Sequence, residues 1–520
     1  MTESSANPYD QVLYGSVAHA QTHPNRLATV ARLFGLETAP IERCRVLELG
    51  CSTGGNVIPM AYGLPNSQFL GIDYSARQTE YGQQQIAELG LKNVEVRQGD
   101  IREIPADLGE FDYIIAHGVY GWVPPDVQAG VLQVCGRHLA PRGVAFISFT
   151  AGPGGELRRI VRNMMLHHIE HGQSETVGRA ARGREMADLL RQVEFPNAMS
   201  VIFRKPLERL MQQADNSLFH DQLNESYDVV NVQDLLHAAA RHGLQYLGDA
   251  DPDENAVNIL PAELAEKAMR WAGPDRIAQQ QYLDIVRFRQ FRQTLLCRAE
   301  CRIAERPQPE PLEGMKFLLA RLRLAEGEWS DVRSDNLVKF EAAAGVVVVG
   351  EPLTKAILRV IENGAPHAQT FPQILEGCRK LLAPRKQDPA VVRAALLKAW
   401  CSALVEAHLL VPPVVAPGER PVSSPIIRAQ VRRHMLQVTN LRHVLVAVGD
   451  PMARALLVLL DGSNDRPTLV EALARGLETG EIEKPASKQW PAGPTALRQQ
   501  LARDLETSLR SLSNMAMLVE

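Results

Sequence analysis

The sequence has 520 residues, of which 45% are hydrophobic and 22% charged, and its formal net charge is -4. The length exceeds that of one hydrophobic core, because domains average roughly 150 residues, and the near-neutral charge provides no overall attraction to nucleic acid or anionic membranes. The 7 cysteines lack paired metal-ligand spacing, which favours a reducing compartment. The first residues are polar and no apolar run reaches the roughly 18 residues of a membrane helix. We therefore expect a cytoplasmic protein without membrane insertion.

The chain begins with a polar arm that carries Tyr9 and Tyr14, and a helical pattern follows from Pro24 to a glycine stop at Gly35. Such an arm either pads the neighbouring domain or forms a lid whose tyrosines contact a substrate. We expect the arm and its helix to occupy residues 1–44.

A strand-like apolar segment at 46–49 runs into a loop of small residues that contains Gly50, Ser52 and Gly54, and an amphipathic helix follows. This order of strand, tight loop and helix is typical of a nucleotide-binding turn, because small residues let backbone N–H groups approach a ligand. By itself the turn is compatible with a dinucleotide or with S-adenosylmethionine (SAM).

Acidic residues stand in or at the end of three consecutive predicted strands, namely Glu48, Asp73 and Asp100. Open parallel sheets bind ligands outside the carboxyl ends of their strands. Asp73, which precedes Tyr74, can accept both hydroxyls of a ribose. Asp100 can accept a hydrogen bond from an adenine amino group while Ile101 lies against the ring. A dinucleotide does not need the third acid, so these positions favour SAM over NAD.

Further strands and helices alternate regularly, which predicts right-handed crossovers and a parallel sheet. The fourth strand covers 111–116, and a helix at about 125–139 leads to a fifth strand at 144–149. A helical insertion at about 151–225 carries two basic clusters, which we interpret as solvated faces that an acidic protein or phosphate could also use. Their members are Arg158, Arg159, Arg162, Arg179, Arg182 and Arg184. A sixth strand follows Gly243, and a seventh at 290–297 is expected at the antiparallel edge.

The C-terminal part is predicted to be mainly helical. The catalytic unit is expected to cover 45–302, and a proline-rich linker follows at 303–314. Three helical stretches and a short apolar hairpin indicate a winged-helix-like domain at 315–415, and a second helical or winged-helix-like domain is expected at 416–520. This part is not markedly basic, so protein docking is a better interpretation than DNA binding.

Several motifs resemble those of class I SAM-dependent methyltransferases: Glu48-Leu-Gly50, Gly-Ile-Asp73, Gly99-Asp100, Phe-Asp112-Tyr-Ile-Ile and Leu-Ala-Pro-Arg-Gly143. Further motifs resemble bacterial methyltransferases with a methyltransferase regulatory domain: Tyr9-Asp-x-x-x-Tyr14, Thr22-His-Pro-x-Arg-Leu-Ala28 and Ala116-His-Gly-Val-Tyr-x-Trp-Val-Pro124. The resemblance implies a Rossmann-like α/β fold with a seven-stranded sheet and a helical insertion. It also implies SAM as cofactor, S-adenosylhomocysteine as product and no metal. Ser52 departs from the glycine pattern of the larger family.

Methyl transfer requires a positioned, mostly deprotonated acceptor and exclusion of water, so no catalytic triad need be visible. For an amine acceptor, His117, Tyr120 and Tyr14 are the candidates that assist loss of the proton. His117 is alternatively a packing residue beside the adenosine. Tyr9, Tyr14, Tyr120 and Trp122 are expected to contact the substrate, with Trp122 in an aromatic wall that favours a cationic amine or in the core.

Some members of the resembling group methylate lysines of outer-membrane proteins, so a SAM-dependent protein lysine methyltransferase is our first hypothesis. The second is a SAM-dependent methyltransferase that acts on a small molecule. The third is a non-catalytic SAM-binding regulatory protein whose C-terminal part docks a partner. The partners expected are therefore a protein or small-molecule methyl acceptor, with a homodimer as a candidate assembly and nucleic acid disfavoured.

Overall fold

The computed structural model describes residues 8–171, 178–193, 199–224, 226–255, 262–327, 329, 331–342, 345–484, 490–491 and 493–519. Contacts divide the chain into two units, one of Met1–Ser16 with Val30–Pro307 and the other of Val17–Thr29 with Gln308–Glu520. This division splits the region 1–44, which the sequence analysis treated as one. In the described ranges, no helix has the length and apolar character needed to span a bilayer.

Seven strands of the first unit form one sheet. They are β1 Arg45–Leu49, β2 Gln68–Asp73, β3 Val94–Gln98, β4 Phe111–Ala116, β5 Leu139–Thr150, β6 Leu244–Asp249 and β7 Phe291–Arg298. Their order is β3-β2-β1-β4-β5-β7-β6. Neighbouring strands are parallel except that β7 is antiparallel to β5 and β6. The predicted Rossmann-like seven-stranded sheet is thus confirmed.

The position of β7 differs from the prediction in one respect. The sequence analysis placed this strand at the edge of the sheet, whereas the structure inserts it between β5 and β6, so that β6 is the edge strand. On one side Leu295 pairs with Phe146, and on the other side Leu296 pairs with Tyr246. A short apolar strand has the same sequence pattern in either position, so the pattern could give the direction of β7 but not its neighbours.

The helices of the chain up to Pro307 cover the sheet and form the insertion. They are α1 Pro8–Gln11, α2 Pro24–Leu33, α3 Val57–Gly63, α4 Ala76–Leu89, α5 Pro125–His138, α6 Glu156–Glu170, α7 Gly178–Gln192, α8 Met199–Gln212, α9 Asp215–Leu223, α10 Val232–Ala240, α11 Ala262–Ala272 and α12 Arg276–Arg287. Ser75 caps α4 by accepting a hydrogen bond from the Gln78 N–H, and Gly90 ends it in the left-handed region at φ 66°.

Helices α6 to α9 form the predicted insertion between β5 and β6 and share a hydrophobic core that includes Val161, Met165 and Phe203. The predicted solvated face of α6 is wrong at Arg162. Arg162 is only 6% exposed, whereas Ile160 is 41% exposed. The guanidinium of Arg162 donates to the backbone carbonyl of Asn224, and this bond explains how an arginine lies on the buried side.

A buried ion network joins the last two strands of the sheet to α12. Arg292 of β7 is completely buried and lies 2.9 Å from carboxylate oxygens of both Asp249 and Asp284. Arg289 is also buried and lies 3.2 Å from Asp284. Burial by itself raises the pKa of Asp249, but Arg292 and Arg289 hold this pKa below its ordinary value. Because none of these four charged side chains faces water, each is stabilised by the opposite charges of the others.

In its described residues, the second unit contains short strands and seven further helices. Its strands are β8 Lys316–Leu319, β9 Arg323–Glu326, β10 Val338–Ala342, β11 Gly345–Val349, β12 Gln369–Thr370, β13 Val405–His408, β14 Gln437–Thr439 and β15 Leu445–Ala447. Its helices are α13 Pro352–Gly364, α14 Phe371–Leu381, α15 Pro389–Cys401, α16 Pro425–Arg432, α17 Pro451–Leu459, α18 Arg466–Thr479 and α19 Pro494–Asn514. The three predicted helical stretches correspond to α13, α14 and α15. Instead of a hairpin after them, β13 pairs with β8.

Residues 17–29 belong to the second unit because of specific polar contacts. The Asn25 side chain lies 3.1 Å from His408 Nδ1, and its oxygen accepts the backbone N–H groups of Leu409 and Leu410. The rings of His23 and His443 lie 5.1 Å apart. Burial lowers the pKa of His23 to about 4, so this imidazole is neutral in the folded protein near neutral pH.

Candidate active site

The loop after β1 is held in a tight turn at the carboxyl edge of the sheet. The backbone N–H groups of Gly50 and Cys51 donate to the Ile72 carbonyl at 2.8 and 3.2 Å. Gly54 has φ 75°, which is a left-handed conformation that favours glycine. Ser52 also has a positive φ of 52°, and its hydroxyl donates to the side-chain oxygen of Gln78. The serine that replaces a family glycine is therefore compensated by a polar partner from α4.

Asp73 fixes the geometry between this loop and α4. One carboxylate oxygen accepts the Ser52 N–H at 2.7 Å, and the other accepts the Ser75 N–H at 2.9 Å. Burial raises the pKa of Asp73. Each oxygen keeps a lone pair for a further donor, as a ribose diol would require. The adjacent Tyr74 is 61% exposed.

Glu48 is a buried carboxyl group beside Asp73. It is 4% exposed, and Oε1 accepts a hydrogen bond of 2.7 Å from the Asn56 side-chain amide. Oε2 is buried and has no hydrogen-bond partner in the described part of the chain. Burial, together with the nearby charge of Asp73, raises the pKa of Glu48 to about 8. An orphaned buried carboxyl oxygen at this position fits a cationic ligand.

Asp100 lies directly after β3, as predicted. Its carboxylate accepts the Arg102 N–H at 2.8 Å and forms an ion pair of 2.6 Å with the Arg102 guanidinium. These hydrogen bonds lower the pKa of Asp100. Ile101 is half-buried and packs against the hydrophobic core of the sheet. Asp100 and Ile101 thus stand at the same carboxyl edge as Glu48 and Asp73.

The N-terminal arm lies over the loop. The Ser52 hydroxyl is 3.2 Å from the Tyr14 carbonyl, and the Ser75 hydroxyl donates to the Asp10 carboxylate at 2.5 Å. A Cβ atom on Gly55 would lie 2.2 Å from the carbonyl oxygen of Ser16. Only glycine allows the arm to approach this closely. This packing agrees with both predicted interpretations of the arm, as a segment that pads the domain and as a lid.

Helix α9 holds the aromatic residues of the arm. The Tyr9 ring stacks on the His220 ring at 4.7 Å, and the Tyr14 hydroxyl donates to Asp221 at 3.1 Å. Burial raises the pKa of Tyr9 to about 12 and raises that of Tyr14 further, so neither is a base near neutral pH. The sequence pattern gives His220 and Asp221 no role. The signal that could have found them is the resemblance of their segment, 219–224, to the corresponding segment of the methyltransferase group.

The three site residues predicted after β4, namely His117, Tyr120 and Trp122, lie in different surroundings. His117 lies 5.9 Å from the Phe146 ring, and the neighbouring Val119 contacts Gly50 closely enough that a Cβ there would clash at 2.5 Å. Tyr120 is 5% exposed and belongs to the hydrophobic core between the sheet and α5. This location favours a packing role for Tyr120, and its catalytic role stays a prediction.

Trp122 faces the insertion. Its ring lies 5.1 Å from Tyr227, and the Arg158 guanidinium stands over it at 4.8 Å. The Arg158 guanidinium therefore occupies the face of the Trp122 ring at which a cationic amine of the substrate was expected. In the described residues, no group of three or more His, Cys, Asp or Glu side chains has the arrangement of a metal site.

Three family models match this chain. Residues 46–143 match a methyltransferase domain, residues 214–298 a predicted methyltransferase regulatory domain, and residues 419–517 the PKMT C-terminal winged helix domain. The winged-helix match lies within the predicted second C-terminal domain.

Relatives of similar length and fold are known. Uncharacterized protein RP789 from Rickettsia prowazekii is 28% identical over all of this chain and 95% of its own length. Uncharacterized protein RP028 of the same organism is 40% identical over 31% of this chain and 65% of its own length. The structure of PKMT2 from Rickettsia typhi in complex with AdoHcy has a TM-score of 0.84 at 23% identity and covers 98% of this chain and 100% of that one, which is a likeness of fold.

The fold, the carboxyl-edge site and the matched methyltransferase domain define a class I SAM-dependent methyltransferase. Beyond the methyltransferase domain, the chain matches the predicted methyltransferase regulatory domain and the PKMT C-terminal winged helix domain. The site fits SAM, because Asp73 offers two carboxylate oxygens, Glu48 has an orphaned one, and the small-residue loop leaves its backbone accessible.

We expect SAM binding to release about one proton at pH 7, because a cation beside the buried Glu48 favours its ionised form. The folded protein has a pKa of about 8 at Glu48, so SAM affinity should rise as the pH increases toward 8. Titration calorimetry in two buffers with different ionisation enthalpies measures this release. The Glu48→Gln variant should lose it, whereas Glu42→Gln, at an exposed position, should keep it. Equal proton release in both variants would contradict the assignment.

Proposed function

We propose that this methyltransferase transfers the methyl group of SAM to lysine side chains of a protein. The observation that carries the proposal is the likeness to PKMT2, which extends over 98% of the chain, together with the match of residues 419–517 to the PKMT winged-helix model. The family resemblance to outer-membrane-protein lysine methyltransferases supports the same acceptor class.

The residues of the site have distinct proposed roles. Asp73 and Asp100 hold the ribose and adenine of the cofactor, with Tyr74 and Ile101 beside them. Glu48 and the loop through Gly50, Ser52 and Gly54 surround the methionine part. When bound, SAM supplies an electrophilic methyl group. The arm with Tyr9 and Tyr14 excludes water, which favours the transfer because a desolvated amine is a better nucleophile.

A lysine reacts only as the neutral amine, whose nitrogen lone pair forms the new N–C bond as the S–C bond breaks. The ammonium must therefore lose a proton first. With the raised pKa values of Tyr9 and Tyr14, neither phenol is ionised near neutral pH. We assign the proton to His117, which follows β4 and stands next to Gly118, whose N–H donates to Ser148 at 2.8 Å.

Incubation of the protein and SAM with a bacterial outer-membrane protein extract tests this function. Tandem mass spectrometry should find lysines that gain methyl groups, and the Asp73→Asn variant should produce none. His117→Ala should lower kcat more than KM. If SAM binds but no protein is modified, the acceptor is a small molecule, and a metabolite extract should then yield a methylated product. Binding of SAM without any product would indicate the non-catalytic regulatory protein.

A further inference from the structure

Three arginines of the insertion stand around the half-buried Tyr227, and a fourth, Arg179, acts electrostatically on one of them. Arg158, Arg159 and Arg162 of α6 place their guanidinium carbons 5.9, 5.9 and 5.4 Å from the Tyr227 ring. Arg179 of α7 acts electrostatically on Arg162 together with Arg158 and Arg159, and these charges add to burial in lowering the pKa of Arg162. We call Arg158, Arg159, Arg162 and Arg179 the arginine patch.

The hydrogen bonds recorded for Arg158 and Arg179 with described residues go to neutral groups. Arg158 donates to the Asp221 carbonyl at 2.6 Å and to the Gln222 side chain at 3.2 Å. Arg179 donates to the Leu223 carbonyl at 3.5 Å. As far as the chain is described, neither Arg158 nor Arg179 forms an ion pair. Arg158 nevertheless interacts electrostatically with the Asp221 carboxylate, which compensates part of its charge, whereas the charge of Arg179 remains available to an anionic ligand.

Acidic residues near the patch neutralise it incompletely. Arg159 lies 3.4 Å from Glu156 and 3.6 Å from Asp228, and both acids are half exposed, so these pairs are weak and exchangeable. The Asp221 carboxylate accepts the Tyr14 hydroxyl. In addition, Nε of Arg179 is buried and has no hydrogen-bond acceptor among the described residues. This missing acceptor is a second indication of an external anion.

The arginine patch is linked to the cofactor loop through α9 and the N-terminal arm. Arg158 lies over Trp122, which follows β4, and it also bonds Asp221. Asp221 in turn holds Tyr14 of the arm, and the Tyr14 carbonyl lies 3.2 Å from Ser52 in the cofactor loop. A continuous chain of contacts therefore runs from the cofactor loop to the patch.

This electrostatic environment selects the acceptor. A lone lysine ammonium is repelled by four guanidinium groups, whereas carboxylates are attracted to them. Once a lysine is bound, the same positive field lowers its pKa and favours the neutral amine. We propose that the arginine patch binds carboxylate side chains of the acceptor protein, so that the methylated lysine lies in an acidic stretch of sequence. The inference rests on the proposed function and names its substrate class.

Two synthetic peptides test the inference: a lysine flanked by Asp and Glu, and the same peptide with Asn and Gln in their place. The wild type should use the acidic peptide with kcat/KM about tenfold higher, mainly through KM, because charge-assisted bonds strengthen binding. The double variant Arg159→Gln/Arg179→Gln should lose this preference while it keeps its affinity for SAM and its melting temperature. Equal use of both peptides by the wild type would overturn the inference.

Matched variants separate charge from fold. Arg191→Gln removes an arginine from the same helix α7 that pairs with Asp188, and it should keep the preference. Arg159→Lys/Arg179→Lys retains the charges and should restore most of it. Retention of the preference by the Gln double variant would also overturn the inference.

A binding measurement distinguishes failure of the inference from failure of the proposed function. Fluorescence anisotropy with S-adenosylhomocysteine present reports peptide affinity without methyl transfer. If neither peptide is methylated but the acidic peptide binds and the Gln double variant loses that binding, the patch is supported and lysine transfer is contradicted. If the acidic peptide binds no more tightly than the neutral one, the patch is contradicted whether or not methylation occurs.

Discussion

The Asp73→Asn variant is expected to bind SAM at least about 100-fold more weakly than the wild type, because two functions of one charged acceptor are lost together. Both carboxylate oxygens of Asp73 accept backbone N–H groups, from Ser52 and Ser75. The side-chain amide of the asparagine variant must turn its NH2 group toward one of these two N–H donors. The substitution also removes the negative charge that would accept the ribose hydroxyls. Titration calorimetry measures the affinity directly.

Asp112 provides a matched control for this loss. It also accepts a backbone N–H, from Arg45 at 2.8 Å, but at the amino end of β1 and β4. Asp112→Asn should therefore leave the SAM affinity within about twofold of the wild type, since it removes only a remote exposed contact. Comparable weakening in both variants would show that Asp73 acts through general stability and not through the cofactor site.

The Asp249→Asn variant is expected to lower the free energy of unfolding by about 3–5 kcal/mol, because it breaks one partner of a buried ion network. Asp249 and Arg292 are at most 1% exposed, and their charged atoms lie 2.9 Å apart. After the substitution, the positive charge of Arg292 is opposed in the network mainly by Asp284, and water cannot solvate the excess. Urea denaturation followed by circular dichroism measures the change.

An exposed pair in the same unit serves as the comparison. Glu95 and Arg97 form two hydrogen bonds, but their side chains are 58% and 49% exposed. Glu95→Gln should cost less than about 1 kcal/mol, as surface ion pairs usually do. If Asp249→Asn costs no more than Glu95→Gln, the buried network contributes little to the stability of the sheet.

The predictions from sequence were most accurate where local order determines the structure. β4 has the predicted bounds, because an apolar run that ends at a turn leaves little choice of register. The acids at 48, 73 and 100 were expected at one edge because parallel strands place their carboxyl ends there. For the same reason the loop at 50–54 could be predicted from one strand and one helix start.

Contacts between distant segments could not be predicted in this way. Gln78 stands three residues after the cap residue Ser75, which is the spacing of a capping box, but its side-chain oxygen accepts the hydroxyl of the distant Ser52. The short helical turn Tyr120–Trp122 directs Tyr120 into the core and Trp122 toward the insertion. No periodic pattern gives the direction of side chains in a turn of three residues. Similarly, the sequence predicted an exposed Arg162, because the backbone carbonyl that accepts its hydrogen bond lies 62 residues away in the chain.

The insertion of β7 between β5 and β6 has a consequence for the modular organisation of the protein. The region matched as a regulatory domain, 214–298, contributes β7 and β6, which complete one end of the sheet on which the methyltransferase domain is built. Removal of this region would leave β5 as a long unprotected edge open to aggregation. The two regions are therefore expected to fold as one unit.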